Sequence, residues 1–145
     1  MTSPPRPVSG NCPFCAPPDE RVLVYQDEAT FALVDIAPIN PYHTMVVPKP
    51  HYTALVDLPA DLVSRVFLVA QRISGALRAA CEPDAITHVW DDDLTGRGFN
   101  LIAHFKVHLI PRYLNDGVRI DWNRPPRPPL AQRERYAREL RDALG

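Results

Sequence analysis

The sequence has no strong charge imbalance and no long apolar run. It holds 16 Lys and Arg against 17 Asp and Glu, a net charge of −1 at pH 7, so it lacks the positive excess with which proteins bind nucleic acid or acidic membrane surfaces. No stretch approaches the roughly 18 apolar residues of a membrane span. The first residues also lack the basic start and apolar segment of a secretory signal. We expect a cytoplasmic protein with no nucleic-acid or membrane partner.

Cysteine is scarce and proline is abundant. Three cysteines, an odd number, argue against a disulfide framework. Proline occurs 17 times in 145 residues, and ten of these prolines lie within residues 4–18 and 125–129. We therefore expect a proline-rich leader at 1–11, one domain at 12–113, and a C-terminal extension at 114–145 with a proline-rich linker and a short helix.

Hydrophobic periodicity predicts an α+β fold. Alternating or β-branched runs predict five strands, at 21–25, 30–35, 44–47, 86–90 and 101–110. Apolar residues at steps of three and four predict one main helix over 59–81. A second helix is predicted over 130–144, with Arg133 among its arginines and opposite charges four residues apart, which indicates a solvated helix. The order implies a five-stranded, mostly antiparallel sheet with one main helix plus a C-terminal helix.

The segment His104-Phe-Lys-Val-His108 places three ionisable side chains at alternate positions. In a strand, His104, Lys106 and His108 would share one face. A buried face tolerates such groups when they bind a metal, an anion or one another. A solvent-facing polar stripe is the alternative at this point.

The segment Cys12-Pro-Phe-Cys15 has the spacing with which two thiolates bind one tetrahedral ion. A redox pair is the competing interpretation, but the thioredoxin-like form needs a strand before it and a helix after it. Half a zinc site needs two further ligands. The candidates are His43, His51, His88, His104 and His108.

Three segments resemble the histidine triad (HIT) superfamily, in particular its zinc-binding bacterial branch: Phe31-Ala-Leu-Val-Asp-Ile-Ala-Pro38, Pro41-Tyr-His-Thr-Met-Val-Val-Pro-Lys-Pro-His51 and His104-Phe-Lys-Val-His-Leu-Ile-Pro-Arg112. The resemblance implies a HIT-like fold and a homodimer with one nucleotide cleft per subunit. It also implies a hydrolase or transferase that acts on the nucleotidyl group of nucleoside phosphates.

The resemblance also implies roles for individual residues. Asp35 would bind the ribose hydroxyls and Ile36 would contact the base. His43 would orient the nucleophile and His108 would lie near the phosphate. Phe31 and Asn100 complete the nucleotide-binding set that the resemblance implies. A structural Zn²⁺ would be held by four residues: Cys12, Cys15, His51 and His104.

The sequence departs from the family pattern at the middle triad position. The family has its nucleophilic histidine where this chain has Lys106, and the preceding loop has Asp93 and Asn100 in place of the usual residues. A lysine amine is a poor leaving group, since its reference pKa lies about four units above that of imidazole. Three alternatives stay open: Lys106 binds an anion during direct displacement, the protein is a silent nucleotide or anion binder, or Lys106 is itself the nucleophile.

A non-enzymatic alternative also stays open. In it the chain is a zinc-stapled dimer that acts as an interaction module through its proline-rich tail, Arg124-Pro-Pro-Arg-Pro-Pro129. If the tail were independent of the cleft, its deletion would remove partner binding and leave turnover intact.

Overall fold

The computed structural model describes residues 12–97, 99, 101–122 and 126–145. The proline-rich leader, Asn100 and residues 123–125 therefore lie outside the described residues. The described residues contain five strands and two α-helices: β1 Leu23–Gln26, β2 Thr30–Val34, β3 Thr44–Pro48, α1 Ala60–Cys81, β4 Ala85–Val89, β5 Val107–Arg112 and α2 Leu130–Leu144.

The strands form one sheet in the order β1-β2-β3-β5-β4. Every neighbouring pair is antiparallel, so the α+β prediction is confirmed. The helix α1 covers one face of the sheet because its apolar stripe, which includes Val66, Ile73 and Leu77, is fully buried against that face. Within the described residues, neither helix combines the length and the apolar character that a membrane span requires.

The helix boundaries follow local chemistry only in part. Pro59 precedes the first turn of α1, as a residue without a backbone N–H can. Asp57 ends a short 3₁₀ turn, and α1 has no side-chain cap. The helix ends where Glu82 adopts a left-handed conformation (φ 47°) before Pro83.

The last predicted strand begins six residues later than expected, at Val107 rather than Leu101. The β3–β5 ladder stops at the Val46–Val107 pair. Continuing it would bring Pro48 into the ladder, and proline has no N–H to donate. The chain instead turns, and the N–H of Phe105 donates to the carbonyl of Tyr52 at 2.6 Å. His104 and Lys106 therefore lie in a loop just before the strand.

The C-terminal helix α2 is not the solvated helix that its charge pattern indicates. It packs against α1 and the β1–β2 side of the sheet, and Tyr136, Ala137 and Leu140 belong to the main hydrophobic core. Arg133, predicted to face solvent, is only 9% exposed. The opposite-charge spacing holds for Arg135 and Glu139, which approach to 4.0 Å.

The sheet face away from α1 carries a smaller apolar cluster. Phe31, Met45 and Val47 are buried there, with Phe14 packed against them. Met45 pairs with His108 across β3 and β5, and cross-strand partners project to the same face. This face is therefore where the chemistry-bearing side chains of β5 meet the Cys12–Cys15 segment.

Candidate metal centre and cleft

Four predicted metal ligands lie together at one edge of this face. The ligand atoms of Cys12, Cys15, His51 and His104 all lie within 4.8 Å of one another. The Cys15 Sγ lies 3.2 Å from His51 Nδ1 and 3.6 Å from His104 Nδ1, and Cys12 Sγ lies 3.4 Å from His104 Nδ1. The two Nδ1 atoms are 3.1 Å apart.

These separations fit the edges of a zinc tetrahedron. Zn–S bonds of about 2.3 Å and Zn–N bonds of about 2.0–2.1 Å put S and N ligands about 3.5 Å apart and two N ligands about 3.3 Å apart. The donor set of two thiols and two imidazoles is one that zinc uses in closed structural sites, with no position left for water. The four residues can therefore hold Zn²⁺.

The second nitrogen of His104 orients the ring for this role. Its Nε2 lies 2.7 Å from the carbonyl oxygen of Pro48, an acceptor only, so the hydrogen-bond network assigns the proton to Nε2 and leaves Nδ1 with a free lone pair. Burial lowers the pKa of His104 to about 4, which keeps the ring neutral, as metal ligation requires. Burial and the adjacent Cys12 raise the pKa of Cys15 to about 11, a cost that a bound cation would remove.

A cavity of about 170 Å³ lies beside this cluster. Of the predicted site residues, Asp35, Ile36, Lys106 and His108 line it. Small-molecule pockets usually enclose about 300–1,000 Å³, so only part of a nucleotide-sized ligand would fit inside this cavity. The rest would lie on the open side, where Ile36 is 50% exposed.

Lys106 is buried, and its ammonium group is held by the backbone. Its Nζ donates to the carbonyl oxygens of Ile102 at 2.9 Å and His104 at 3.1 Å, and it lies 5.5 Å from the ring centroid of Phe14. An ammonium has three N–H donors, so one donor is left for a ligand in the cavity. Burial lowers the pKa of Lys106 to about 8, although the negative charge of Asp35 acts to raise it. Most of the Lys106 population is therefore still protonated at pH 7.

His43 and His108 form a hydrogen-bonded pair whose proton positions the network assigns. The N–H of Ile39 donates to His43 Nδ1 at 3.1 Å, so the His43 proton is on Nε2. That Nε2–H donates to His108 Nδ1 at 2.9 Å, so the His108 proton is also on Nε2. Burial lowers the pKa of both histidines, which keeps both rings neutral.

The resulting N–H of His108 has no hydrogen-bond partner among the residues that the structure describes. A buried donor left in this state costs about 1–3 kcal/mol. An anionic oxygen bound in the cavity is the kind of acceptor that would satisfy it. Asp35, by contrast, presents a carboxylate to the same cavity, with its Oδ1 already accepting the Ala37 N–H at 2.8 Å.

Asp35, His43 and His108 also lie close enough together to suggest a second metal site. A neutral imidazole that binds a metal through Nε2 carries its proton on Nδ1. His43 Nδ1 accepts the Ile39 N–H, so this ring would have to bind a metal as the anion. We therefore interpret the cluster as a hydrogen-bonded network.

Two predicted site residues do not line the cavity: Phe31, predicted to bind the nucleotide, and His43, predicted to orient the nucleophile. Phe31 is 2% exposed and lies beneath Phe14, with ring centroids 6.4 Å apart, so it supports the cavity from below. His43 lies behind His108. The neighbouring Asp93 is buried and accepts the N–H groups of Thr95, Gly96 and Phe99, so it shapes its own loop.

Seven further cavity residues were not predicted, and they include Phe14, Met45, Trp122 and Arg127. Trp122 stacks on His108 with centroids 4.2 Å apart, and its Nε1–H donates to Asp91 at 3.1 Å. Among these residues, only Phe14 is hinted at by the sequence, because it lies between Cys12 and Cys15, two predicted metal ligands. Trp122 and Arg127 belong to the C-terminal extension, so deleting that tail would remove part of the cavity wall and would not separate a cleft function from a tail function.

Comparisons with known proteins agree on one family. A profile described as HIT domain matches residues 18–115. An uncharacterized HIT-like protein of Mycobacterium tuberculosis is 33% identical over 141 residues, which cover 92% of each chain. A bis(5'-adenosyl)-triphosphatase of Dictyostelium discoideum is 31% identical over 90 residues, 62% of this chain and 59% of that protein.

Among solved structures, a Zn-bound histidine triad family protein from Mycobacterium smegmatis has a TM-score of 0.74 and 31% identity to this chain. The similarity covers 92% of this chain and 93% of that one. The fold resemblance thus extends over nearly the whole chain.

Proposed function

Since the chain belongs to the HIT domain family, we propose that its cleft binds a nucleoside phosphate or a closely related anion and cleaves or transfers the nucleotidyl group by direct displacement. The observation that carries this proposal is the pair of buried donors at one cavity: the Lys106 ammonium and the His108 Nε2–H. The triphosphatase relative is named for cleaving bis(5'-adenosyl) triphosphate, a substrate of this class.

Lys106 stabilises negative charge in this mechanism. A fixed ammonium in a buried site favours the charge that develops on the phosphoryl oxygens in the transition state. Water attacks the phosphorus, the new P–O bond forms as the bond to the departing phosphate breaks, and that phosphate takes up the proton that the water loses. His108 donates its Nε2–H to a phosphoryl oxygen, and His43 fixes the His108 tautomer.

Asp35 binds the ribose in this proposal. Its Oδ2 lies 3.6 Å from His43 Nε2 and 3.7 Å from His108 Nδ1, too far for a hydrogen bond, so it is available to accept from a sugar hydroxyl. Ile36 contacts the base at the open side of the cavity. Asn100, predicted to bind the nucleotide, stays a prediction because it lies outside the described residues.

We also propose that Cys12, Cys15, His51 and His104 bind a structural Zn²⁺. The donor set, the separations of the ligand atoms and the assigned His104 tautomer support it, and the Mycobacterium smegmatis relative is described as Zn-bound. The ion would supply a cross-link between the Cys12–Cys15 segment and the sheet, and no catalytic step is assigned to it.

The cavity lining supports one proposal on domain organisation, and the family supports one on assembly. The cleft domain of residues 12–113 works together with the extension of residues 114–145, because Trp122 and Arg127 line the cavity. We propose a homodimer, and the outer edge of β4, which no described strand pairs, is an available contact surface. Sedimentation velocity would show twice the 16.3 kDa chain mass; a monomer at micromolar concentration would refute this assembly.

The deciding experiment is incubation of the purified protein with adenosine and guanosine phosphoramidates and dinucleoside polyphosphates, followed by product chromatography and intact-mass spectrometry. Turnover without a covalent adduct is the expected result. A stable gain of one nucleotidyl group, mapped to Lys106, would show that lysine is the nucleophile.

Binding without turnover, measured by thermal shift, would favour the silent binder. That alternative has support in the same two donors, which bind an anion whether or not a reaction follows. No binding of any panel member would overturn the proposed ligand class.

A further inference from the structure

The loop between β2 and β3, residues 35–43, carries Asp35 and Ile36, which line the cavity, and His43, which bonds to His108 from behind. Its backbone conformation therefore decides where the Asp35 carboxylate lies. The C-terminal helix α2 contacts this loop at both ends, although the family profile ends before α2, at residue 115.

Arg133 of α2 holds the start of the loop. Its Nε donates to the carbonyl oxygen of Asp35 at 2.9 Å, and its Nη2 donates to the carbonyl oxygen of Val34 at 3.1 Å. Strand β2 ends at Val34, so these carbonyls lie at and beyond the end of the strand. Buried carbonyls need donors, and the rigid guanidinium fork supplies two at once.

Tyr42 holds the end of the loop against the same helix. Its ring packs on Tyr136 with centroids 4.4 Å apart, and its hydroxyl donates to Glu139. Tyr42 has a positive φ of 70°, a left-handed conformation that is unusual for a bulky side chain. Contacts with α2 therefore stabilise the turn that delivers His43.

Arg133 holds the Asp35 carbonyl, a backbone group that the rest of the loop leaves without a donor among the described residues. The Asp35 N–H donates to the His43 carbonyl at 2.9 Å, and the Ala37 N–H holds Oδ1 at 2.8 Å. Without the Arg133 donor, the Asp35 carbonyl would rotate toward another partner, and the carboxylate would turn with its backbone.

We propose that Arg133 is a positioning residue for Asp35, through which the C-terminal helix sets the affinity of the cleft for the ribose of its ligand. The ribose part of this inference rests on the proposed function. The positioning part does not, because the geometry of Asp35, His43 and His108 can be measured without a ligand.

The first test needs no ligand. Arg133→Met and the milder Arg133→Lys are compared with Arg141→Met, a matched control on the same helix whose Nη1 donates to the Leu23 carbonyl away from the cleft. The readouts are the imidazole ¹⁵N resonances of His43 and His108 and the amide resonances of Asp35 and Ala37. All should shift in Arg133→Met, by less in Arg133→Lys, and stay in place in Arg141→Met. Unchanged resonances in folded Arg133→Lys and Arg133→Met would overturn the positioning role.

The second test measures ribose recognition, with AMP and 2′,3′-dideoxy-AMP as probes in titration calorimetry. Arg133→Met should weaken AMP binding about tenfold, the equivalent of 1.4 kcal/mol, and leave dideoxy-AMP binding within twofold of the wild type. Asp35→Asn should show the same selectivity, and the double variant should lose no more than Asp35→Asn alone.

The outcomes separate the two proposals. Equal losses for both probes would mean that Arg133 acts on the fold as a whole and would overturn the inference. If the wild-type protein binds neither probe, the proposed function fails, and the ligand-free resonances still decide whether Arg133 positions Asp35.

Discussion

Replacing Cys15 by serine tests the metal centre most directly. The Cys15 Sγ lies near both histidine ligands of the cluster, so its loss leaves three donors and an open corner. A metal present at 1,000 times its Kd stabilises the folded chain by about 4.1 kcal/mol. A chain of 145 residues has an unfolding entropy of about 0.3 kcal/mol/K, so loss of that stabilisation should lower the Tm by about 13 °C.

The matched control is Cys81→Ser. Cys81 lies outside the cluster and its Sγ donates to the Leu77 carbonyl at 3.2 Å, a bond that a serine hydroxyl can also make. Plasma emission spectrometry should find one zinc per chain in the wild type and in Cys81→Ser, and none in Cys15→Ser. Calorimetry should show a Tm loss on chelation in the first two proteins only. Full zinc content in Cys15→Ser, or a wild-type Tm indifferent to chelators, would refute the assignment.

Changes at three further positions, Lys106, Trp122 and Asp27, test the cleft and the fold. Lys106→Met should weaken AMP binding about 10- to 100-fold, as expected for a lost charge-assisted bond. Titration calorimetry checks this, and an unchanged Kd would contradict the anion-binding role of Lys106. Lys106→His should raise the rate of hydrolysis, which the product assay measures. Trp122→Phe should abolish the fluorescence change on ligand binding, which Trp90→Phe should retain, because Trp122 stacks on His108 whereas Trp90 packs on Phe67. Asp27→Asn should cost about 1–3 kcal/mol of unfolding free energy at pH 7, measured by urea titration. Although burial of Asp27 acts to raise its pKa, hydrogen bonds from Ala29 and Arg65 hold that pKa below its usual value. The unfolded chain therefore binds more protons than the folded chain, and the stability difference between wild type and Asp27→Asn should shrink as the pH falls below about 4. A stability difference that persists at low pH would show that the carboxylate charge is not its cause.

Local pattern was sufficient for the parts of the fold that local chemistry decides. The sequence predicts α2 at its observed bounds, Leu130–Leu144, and it predicts each strand of the sheet, because periodicity reports which face of an element is buried. The predicted start of β5 was wrong because the neighbouring strand decides where the ladder ends. Pro48 of β3 cannot extend the ladder, and residues 101–106 contain no sign of this.

The cleft could be predicted only where residues act within motifs. Asp35, Lys106 and His108 lie in the segments that resemble the family, and the structure brings them to one cavity. Trp122 and Arg127 reach the cavity through the path of the C-terminal chain, which periodicity does not report. Arg133 was predicted to face solvent from its charge pattern, yet it is buried and donates to the carbonyls at the end of β2.

The proposed metal cluster and the cleft are linked through His104 and Phe14, so stability and ligand binding should be coupled. His104 offers Nδ1 to the cluster, while its carbonyl oxygen accepts from Lys106 Nζ at 3.1 Å. Phe14 lies between the two cysteine ligands, packs edge-on against His104 at 5.8 Å and lies under Lys106. A Cys12–Cys15 segment released from the cluster would therefore withdraw the Phe14 ring from the Lys106 ammonium. It would also leave the His104 ring less constrained, and the carbonyl of His104 is a second contact of that ammonium. Cys15→Ser should for this reason weaken anion binding at temperatures well below its Tm, whereas Cys81→Ser should not.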